Sequence, residues 1–171
     1  MSSSGSTATS AIKYNKRKRV SHSGRLIYEW EQSLDELLIV IAPPSSLPAR
    51  LLSVVIAPTH LSVGIKGNPP YLDEPLQHPI NASDSLWTLS DGELHIQLAK
   101  AEVGLAWTAA TVGPHDEDEM SASEAEAERE RLLLERMERE HAGFDFSQAT
   151  VNGTVPDARH FMGGVDRRTV E

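Results

Sequence analysis

The stretch LWTLSDGELHIQLA, residues 86–99, consists of two alternating runs of apolar and polar residues joined by Asp91-Gly92. In the second run, Leu94, Ile96 and Leu98 fall on one face of an extended chain, because side chains in a strand alternate between faces. Asp-Gly between two such runs is the strongest short-range signal of a two-residue β-hairpin turn. The stretch therefore predicts a β-hairpin with one buried face.

The flanking sequence also consists of short apolar or alternating segments, which are separated by Pro, Gly, Asn and Asp. Residues 60–66 alternate cleanly, whereas residues 36–42 and 51–57 are nearly continuous apolar runs that predict central strands with little solvent on either face. Further strands are predicted over 26–32, 71–80 and 103–108, which gives about seven or eight in all. This pattern is typical of an all-β fold, and we predict an antiparallel β-sandwich over residues 25–110.

The two ends of the chain have a different composition. Residues 1–24 are rich in Ser and Thr and then basic, without apolar periodicity, and they predict a disordered basic arm. The cluster from Lys16 to Arg19 leaves nuclear import open as a side hypothesis. Residues 111–120 predict an acidic linker, and residues 143–171 predict a disordered polar tail.

A C-terminal α-helix is predicted over residues 121–142. Ser121 and Glu124 have the spacing of a capping box, the residues that follow are strong helix formers, and Gly143 stands where a helix would end. Its apolar patch consists of Leu132, Leu133, Leu134 and Met137. The patch docks either on the sandwich, through Leu133 and Met137, or on a partner, and the sequence leaves both alternatives open.

Composition restricts the class of protein. The 171 residues carry a formal net charge of −9, which disfavours binding to nucleic acid or to an anionic membrane surface. There are no cysteines, so disulfides and thiolate sites are excluded. No apolar run approaches the roughly 18 residues of a membrane span. We expect a cytoplasmic protein.

No catalytic motif is present in the sequence. The seven histidines are scattered without the spacing of a metal pair, and the acidic residues 116–119 lack the alternation of a calcium loop. Phosphate-binding and dinucleotide-binding glycine motifs are also missing. We therefore predict a protein that is not an enzyme and that uses no cofactor and no metal.

Aromatic residues are the remaining candidates for function, because proteins without a catalytic site work through their surfaces. Trp30, Trp87 and Trp107 each lie in an apolar segment, where core packing is the ordinary interpretation. Phe144 and Phe146 follow the predicted helix and have no core of their own. They either fold back onto the sandwich or anchor a partner.

Several stretches in this order resemble the CS domain of NudC-like proteins. They are YEWEQ at 28–32, VGIKG at 63–67, LWTLSD at 86–91, and LAK at 98–100 with Trp107. The likeness covers about residues 26–110. The stretches LERMERE at 134–140 and GFDFS at 143–147 are similar to the C-terminal region of one branch of that family.

The resemblance implies a co-chaperone that works with heat shock protein 90 family chaperones on unfolded or β-propeller (WD-repeat) clients, including a dynein regulator. The alternative is a dedicated adaptor in dynein-based transport or cilium assembly. A small heat-shock protein is disfavoured, because no I-x-I/V anchor follows Ala142, so a monomer or dimer is expected. Six residues are the expected partner contacts, partly from this resemblance: Lys66, Trp87, Lys100, Trp107, Phe144 and Phe146.

Overall fold

A computed structural model describes residues 17–114 and 119–143 of the chain. Its elements are β1 (Lys18–His22), β2 (Arg25–Gln32), β3 (Glu36–Ile41), β4 (Leu52–Ala57), β5 (His60–Ile65), β6 (Leu72–Pro75), β7 (Ile80–Ser90), β8 (Glu93–Lys100) and α1 (Ala122–Glu140). The strands form a five-stranded antiparallel sheet in the order β1-β2-β3-β8-β7 and a three-stranded antiparallel sheet in the order β4-β5-β6. The prediction of an all-β sandwich with a C-terminal helix is confirmed.

The predicted hairpin is formed by β7 and β8. Trp87 pairs with Ile96 and Leu89 pairs with Leu94, so the alternating faces of the two strands are in register. Asp91 and Gly92 have φ angles of 52° and 79°, which is the left-handed conformation that a type I′ turn requires at both central residues. The inward face of β8 is fully buried between the two sheets.

The core lies between the sheets, and β3 is its most deeply buried strand. Every residue from Leu37 to Ile41 is buried, as the continuous apolar run predicted. The same prediction was wrong for β4, because in the described part of the chain this strand pairs with β5 alone and forms the edge of its sheet. Val55 consequently points into solvent, with 57% of its surface exposed.

Strand β1 lies within the predicted disordered arm, so that prediction was wrong from Lys18 onward. Val20 is buried in the core, while the backbone on either side of it pairs with β2. Arg17 and Arg19 form ion pairs with Glu29 of β2. A basic segment with one apolar residue becomes ordered because a neighbouring strand supplies both backbone partners and carboxylates.

The predicted strand over 103–108 is also absent from the described residues, which form a loop here. Gly104 has a φ angle of +79°, which lies outside the β region of an extended strand. Trp107 is buried although it lies in this loop and not in a strand. The described residues still contain eight strands, because β1 is a strand that the sequence analysis did not predict.

Helix α1 begins with the predicted capping box. The Ser121 hydroxyl accepts a hydrogen bond from the Glu124 amide, and the Glu124 carboxylate accepts one from the Ser121 amide. Hydrogen bonds from Ser121 also lower the pKa of Glu124 to about 2. No helix in the described part of the chain has the length and apolarity to cross a membrane.

The helix docks on the sandwich, which resolves the alternative left open by the sequence. Its buried face consists of Ala125, Glu128 and Leu132, at the i, i+3, i+7 spacing of one helix stripe. The expectation for Leu133 was wrong, because this side chain lies beside the stripe and remains 39% exposed.

The pair Leu132 and Leu133 offers a matched test of helix docking. We predict that Leu132→Ala lowers the free energy of unfolding by about 2–4 kcal/mol, because it removes a buried side chain from a packed interface. Leu133→Ala should change it by less than about 1 kcal/mol. Urea denaturation followed by circular dichroism measures both, and equal effects would contradict the docked arrangement.

Candidate interaction surfaces

Lys100 lies inside the domain, with 2% of its surface exposed. It follows Leu94, Ile96 and Leu98 at the same strand parity, so its side chain points inward from the end of β8. The ammonium group donates hydrogen bonds to Gln32 Oε1 at 2.9 Å, to the Ser33 carbonyl at 2.7 Å and to the Leu105 carbonyl at 2.8 Å. All three N–H donors of the lysine are therefore satisfied.

Trp107 joins the same buried network through Gln32. The Gln32 side chain accepts a hydrogen bond from the Trp107 amide at 3.0 Å and donates one to the Trp107 carbonyl at 2.9 Å. The indole is 1% exposed and belongs to the hydrophobic core. The structure thus brings Lys100 and Trp107 together, but it does so around a buried amide rather than at a surface.

Helix α1 closes this network from outside. Arg131 donates a hydrogen bond to the Gln32 carbonyl at 2.8 Å and forms ion pairs with Glu128 at 2.6 Å and Glu135 at 3.3 Å. Burial lowers the pKa of Lys100 to about 8, and the Glu128 carboxylate is the largest influence that opposes this shift. The helix therefore supplies negative charge to a buried cation of the sandwich.

These positions correct the predicted set of partner contacts. Neither Lys100 nor Trp107 reaches the surface, so neither can contact a partner in this fold. The parity of Lys100 with the inward residues of β8 was the signal in the sequence that could have identified it. Phe144 and Phe146 lie outside the described residues, and their role stays a prediction.

Trp87 lies on β7, an edge strand of the five-stranded sheet, opposite β4, an edge strand of the three-stranded sheet. In the described part of the chain, β7 pairs with β8 alone and β4 with β5 alone, and β4 and β7 contact each other across the sandwich. Five half-buried side chains from these strands and a neighbouring loop pack against the core here: Leu47, Val54, Ile56, Trp87 and Leu89. We name this surface the open side.

Two exposed apolar residues lie on the strands of the open side, Val55 on β4 and Leu86 on β7. Lys66 lies next to the start of β4 and is exposed. Its ammonium group donates a hydrogen bond to the Arg50 carbonyl at 2.8 Å, and its amide donates one to the Leu51 carbonyl at 2.8 Å. Lys66 and Trp87 therefore remain candidate contacts at or near this surface.

A concave surface, separate from the open side, lies between α1 and the loop after β8. Its volume is about 600 Å³, and its walls include Val103 and Leu105 of the loop and Leu133 of the helix. Arg129 and Arg136 contribute positive charge. We name this surface the helix groove.

Within residues 17–114 and 119–143, no group of three His, Asp or Glu side chains is arranged to hold a metal ion. The side chains that define the open side are apolar, and the helix groove combines apolar side chains with two arginines. The arrangement can bind a polypeptide through packing, backbone hydrogen bonds and charge.

Lys100 gives the stability of the domain a specific pH dependence. Its native pKa of about 8 lies below its ordinary value of 10.5, so between these values the unfolded chain binds more protons than the folded chain. Stability must therefore rise with pH through this window. From pH 7 to pH 9.5 we predict a gain of about 2 kcal/mol that Lys100→Met abolishes.

Urea denaturation at the two pH values measures this gain, and the difference between variants isolates Lys100 from other titrating groups. Lys66→Met, at an exposed lysine, is the control and should retain the wild-type pH dependence. An identical pH dependence in the Lys100→Met variant would contradict a buried, protonated Lys100.

Comparison with known proteins agrees with this architecture. Residues 26–100 match the family model of the CS domain. NudC domain-containing protein 2 from Homo sapiens is 26% identical over 166 residues, covering 92% of this chain and 97% of that protein. Protein BOBBER 1 from Arabidopsis thaliana is 29% identical over 92 residues, covering 53% of this chain and 30% of that protein.

The crystal structure of NudC domain-containing protein 2 from Mus musculus is 20% identical, covers 76% of this chain and 96% of that chain, and superposes with a TM-score of 0.37. The family match runs from the second residue of β2 to the last residue of β8. The human relative covers so much of this chain that its likeness includes α1. Residues 26–100 therefore match the CS domain, in a chain that is similar to NudC domain-containing protein 2 over most of its length.

Proposed function

We propose that this protein is a co-chaperone that binds unfolded or β-propeller (WD-repeat) client proteins together with a heat shock protein 90 family chaperone. Clients of this kind include regulators of dynein, whose stability the protein would support. The match to the CS domain and the similarity to NudC domain-containing protein 2 are consistent with a co-chaperone-like role. The observation that carries the proposal is the open side of the sandwich.

The open side has the properties that an extended, unfolded segment requires of its binding site. Edge strands present unpaired backbone N–H and C=O groups, which pair with any added strand regardless of its sequence. Trp87, Val54 and Ile56 are half-buried and offer apolar contacts next to these groups. Backbone pairing combined with an apolar floor suits a protein that must hold many different clients.

Two exposed valines provide a matched test of client binding. Val55 lies on edge strand β4, Val112 lies outside the strands, and both are 57% exposed, so neither should matter for folding. We predict that Val55→Asp weakens the capture of an unfolded client about tenfold, because its charge lies on edge strand β4 beside the backbone groups with which an added strand would pair. Val112→Asp should leave client capture unchanged.

The assay follows the aggregation of several heated, unrelated proteins by light scattering, with melting temperatures of the variants as the folding control. Equal suppression by wild type and by the Val55→Asp variant would remove the open side as the client site. Suppression of no client at all would remove the co-chaperone proposal and favour an adaptor in dynein-based transport or cilium assembly.

Lys66 tests whether charge beside the open side contributes to partner binding. We predict that Lys66→Glu weakens recovery of partners in a pull-down from cell extract, analysed by mass spectrometry, without lowering the melting temperature. A heat shock protein 90 family chaperone recovered with several β-propeller proteins is the expected result. Recovery unchanged by the substitution would exclude Lys66 from the contact.

A further inference from the structure

Two apolar side chains that line the helix groove are exposed to solvent. Val103 is 54% exposed on the loop wall, and Leu133 faces solvent on the helix wall. The volume of about 600 Å³ falls within the range of sites that enclose a small ligand or a few side chains. The groove shares no lining residue with the side chains that define the open side.

The charge of the groove is mainly positive. Among the described residues, Arg129 and Arg136 line it together with a single carboxylate, that of Glu102. The Arg136 guanidinium donates a hydrogen bond to the Val103 carbonyl at 3.4 Å and lies so close to Gly104 that a Cβ atom there would collide with it. A glycine at position 104 therefore permits the arginine to span from the helix to the loop. The groove suits an occupant that is apolar and carries a negative charge.

The chain beyond the helix begins within reach of this groove. Arg136 and Leu133 lie about 6 Å and 10 Å back along the helix axis from its last residue, Glu140. An extended chain of four to six residues spans up to about 13–20 Å. Gly143 has a φ angle of +109°, a conformation that allows the chain to change direction after the helix.

We propose that Phe144-Asp145-Phe146 of the same chain folds back and occupies the helix groove. In an extended segment, Phe144 and Phe146 point to the same side, where Val103 and Leu133 would receive them, and Asp145 points to the other side. The carboxylate of Asp145 gives the segment the negative charge that complements the positive charge of Arg129 and Arg136, and a guanidinium also binds favourably to an aromatic face. The groove is thereby an intramolecular site for the tail, independent of where clients bind.

The absence of cysteine from the sequence makes the proposal directly testable in the full-length protein. In the Val103→Cys/Ser147→Cys variant, which keeps both phenylalanines, a short bismaleimide should link the two thiols within one chain. The control is Leu86→Cys/Ser147→Cys, because Leu86 is similarly exposed, at 49%, but lies on edge strand β7. We expect rapid intramolecular linkage in the first variant and little in the control.

A second readout does not depend on the length of the linker. The single Val103→Cys thiol should react with a maleimide about tenfold faster when Phe144→Ala and Phe146→Ala are added, if the docked tail outnumbers the free tail by about ten to one. Equal linkage in the two cysteine pairs together with unchanged reactivity of Val103→Cys would overturn the proposal. Linkage between two chains instead of within one would also overturn it, in favour of exchange with a second copy.

Discussion

The buried ammonium group of Lys100 is the constraint on which the arrangement of the other elements depends. A cation removed from water is costly unless hydrogen bonds and opposite charge replace its hydration. Lys100 donates its hydrogen bonds to the end of β2, the turn after it and the loop before Trp107. It receives opposite charge from Glu128 and Glu135 of the helix. One side chain at the end of β8 therefore joins the end of β2, the loop before Trp107 and the helix.

This constraint explains why the helix belongs to the folded unit although little of its surface is apolar. Only Ala125 and Leu132 contribute buried apolar side chains among the described residues of α1, and the third buried residue is Glu128. Arg131 connects Glu128 to the Gln32 carbonyl, and Arg139 pairs with Asp35 at 2.6 Å near the end of the helix. The helix is therefore held by polar contacts along its length as well as by its two buried apolar side chains.

The docked helix forms one wall of the helix groove, and the side chains of this groove differ in character from those of the open side. The open side combines backbone groups of edge strands with half-buried apolar residues, which suits an extended client of variable sequence. The helix groove is small, apolar and basic, which suits a short aromatic and acidic segment. A protein built in this way can hold its own tail at one site and leave the other site available to clients.

The sequence alone was sufficient for the features that depend on local rules. Alternation and the Asp91-Gly92 turn predicted the β7-β8 hairpin, and Ser121 with Glu124 predicted the start of the helix. The sequence alone was not sufficient where contacts with distant parts of the chain determine the structure. Val20 became part of a strand because β2 lies beside it, β4 became an edge strand through sheet order, and Leu132 rather than Leu133 was buried through the rotation of the docked helix. For Lys100 the strand parity was informative, but a lysine at a strand end usually reaches water, and the network around Gln32 offsets part of the cost of burial.

The measurement that tests this interpretation most directly is the free energy of unfolding of a chain that ends at Gly113, compared with that of the full-length protein. Removal of the helix takes away the Glu128 and Glu135 carboxylates, which favour protonated Lys100, and it also takes away the buried Leu132, whose truncation alone costs about 2–5 kcal/mol. We expect a decrease of at least this size in urea denaturation. An unchanged free energy of unfolding would contradict the central claim, because it would mean that the sandwich keeps its buried cation without help from the helix.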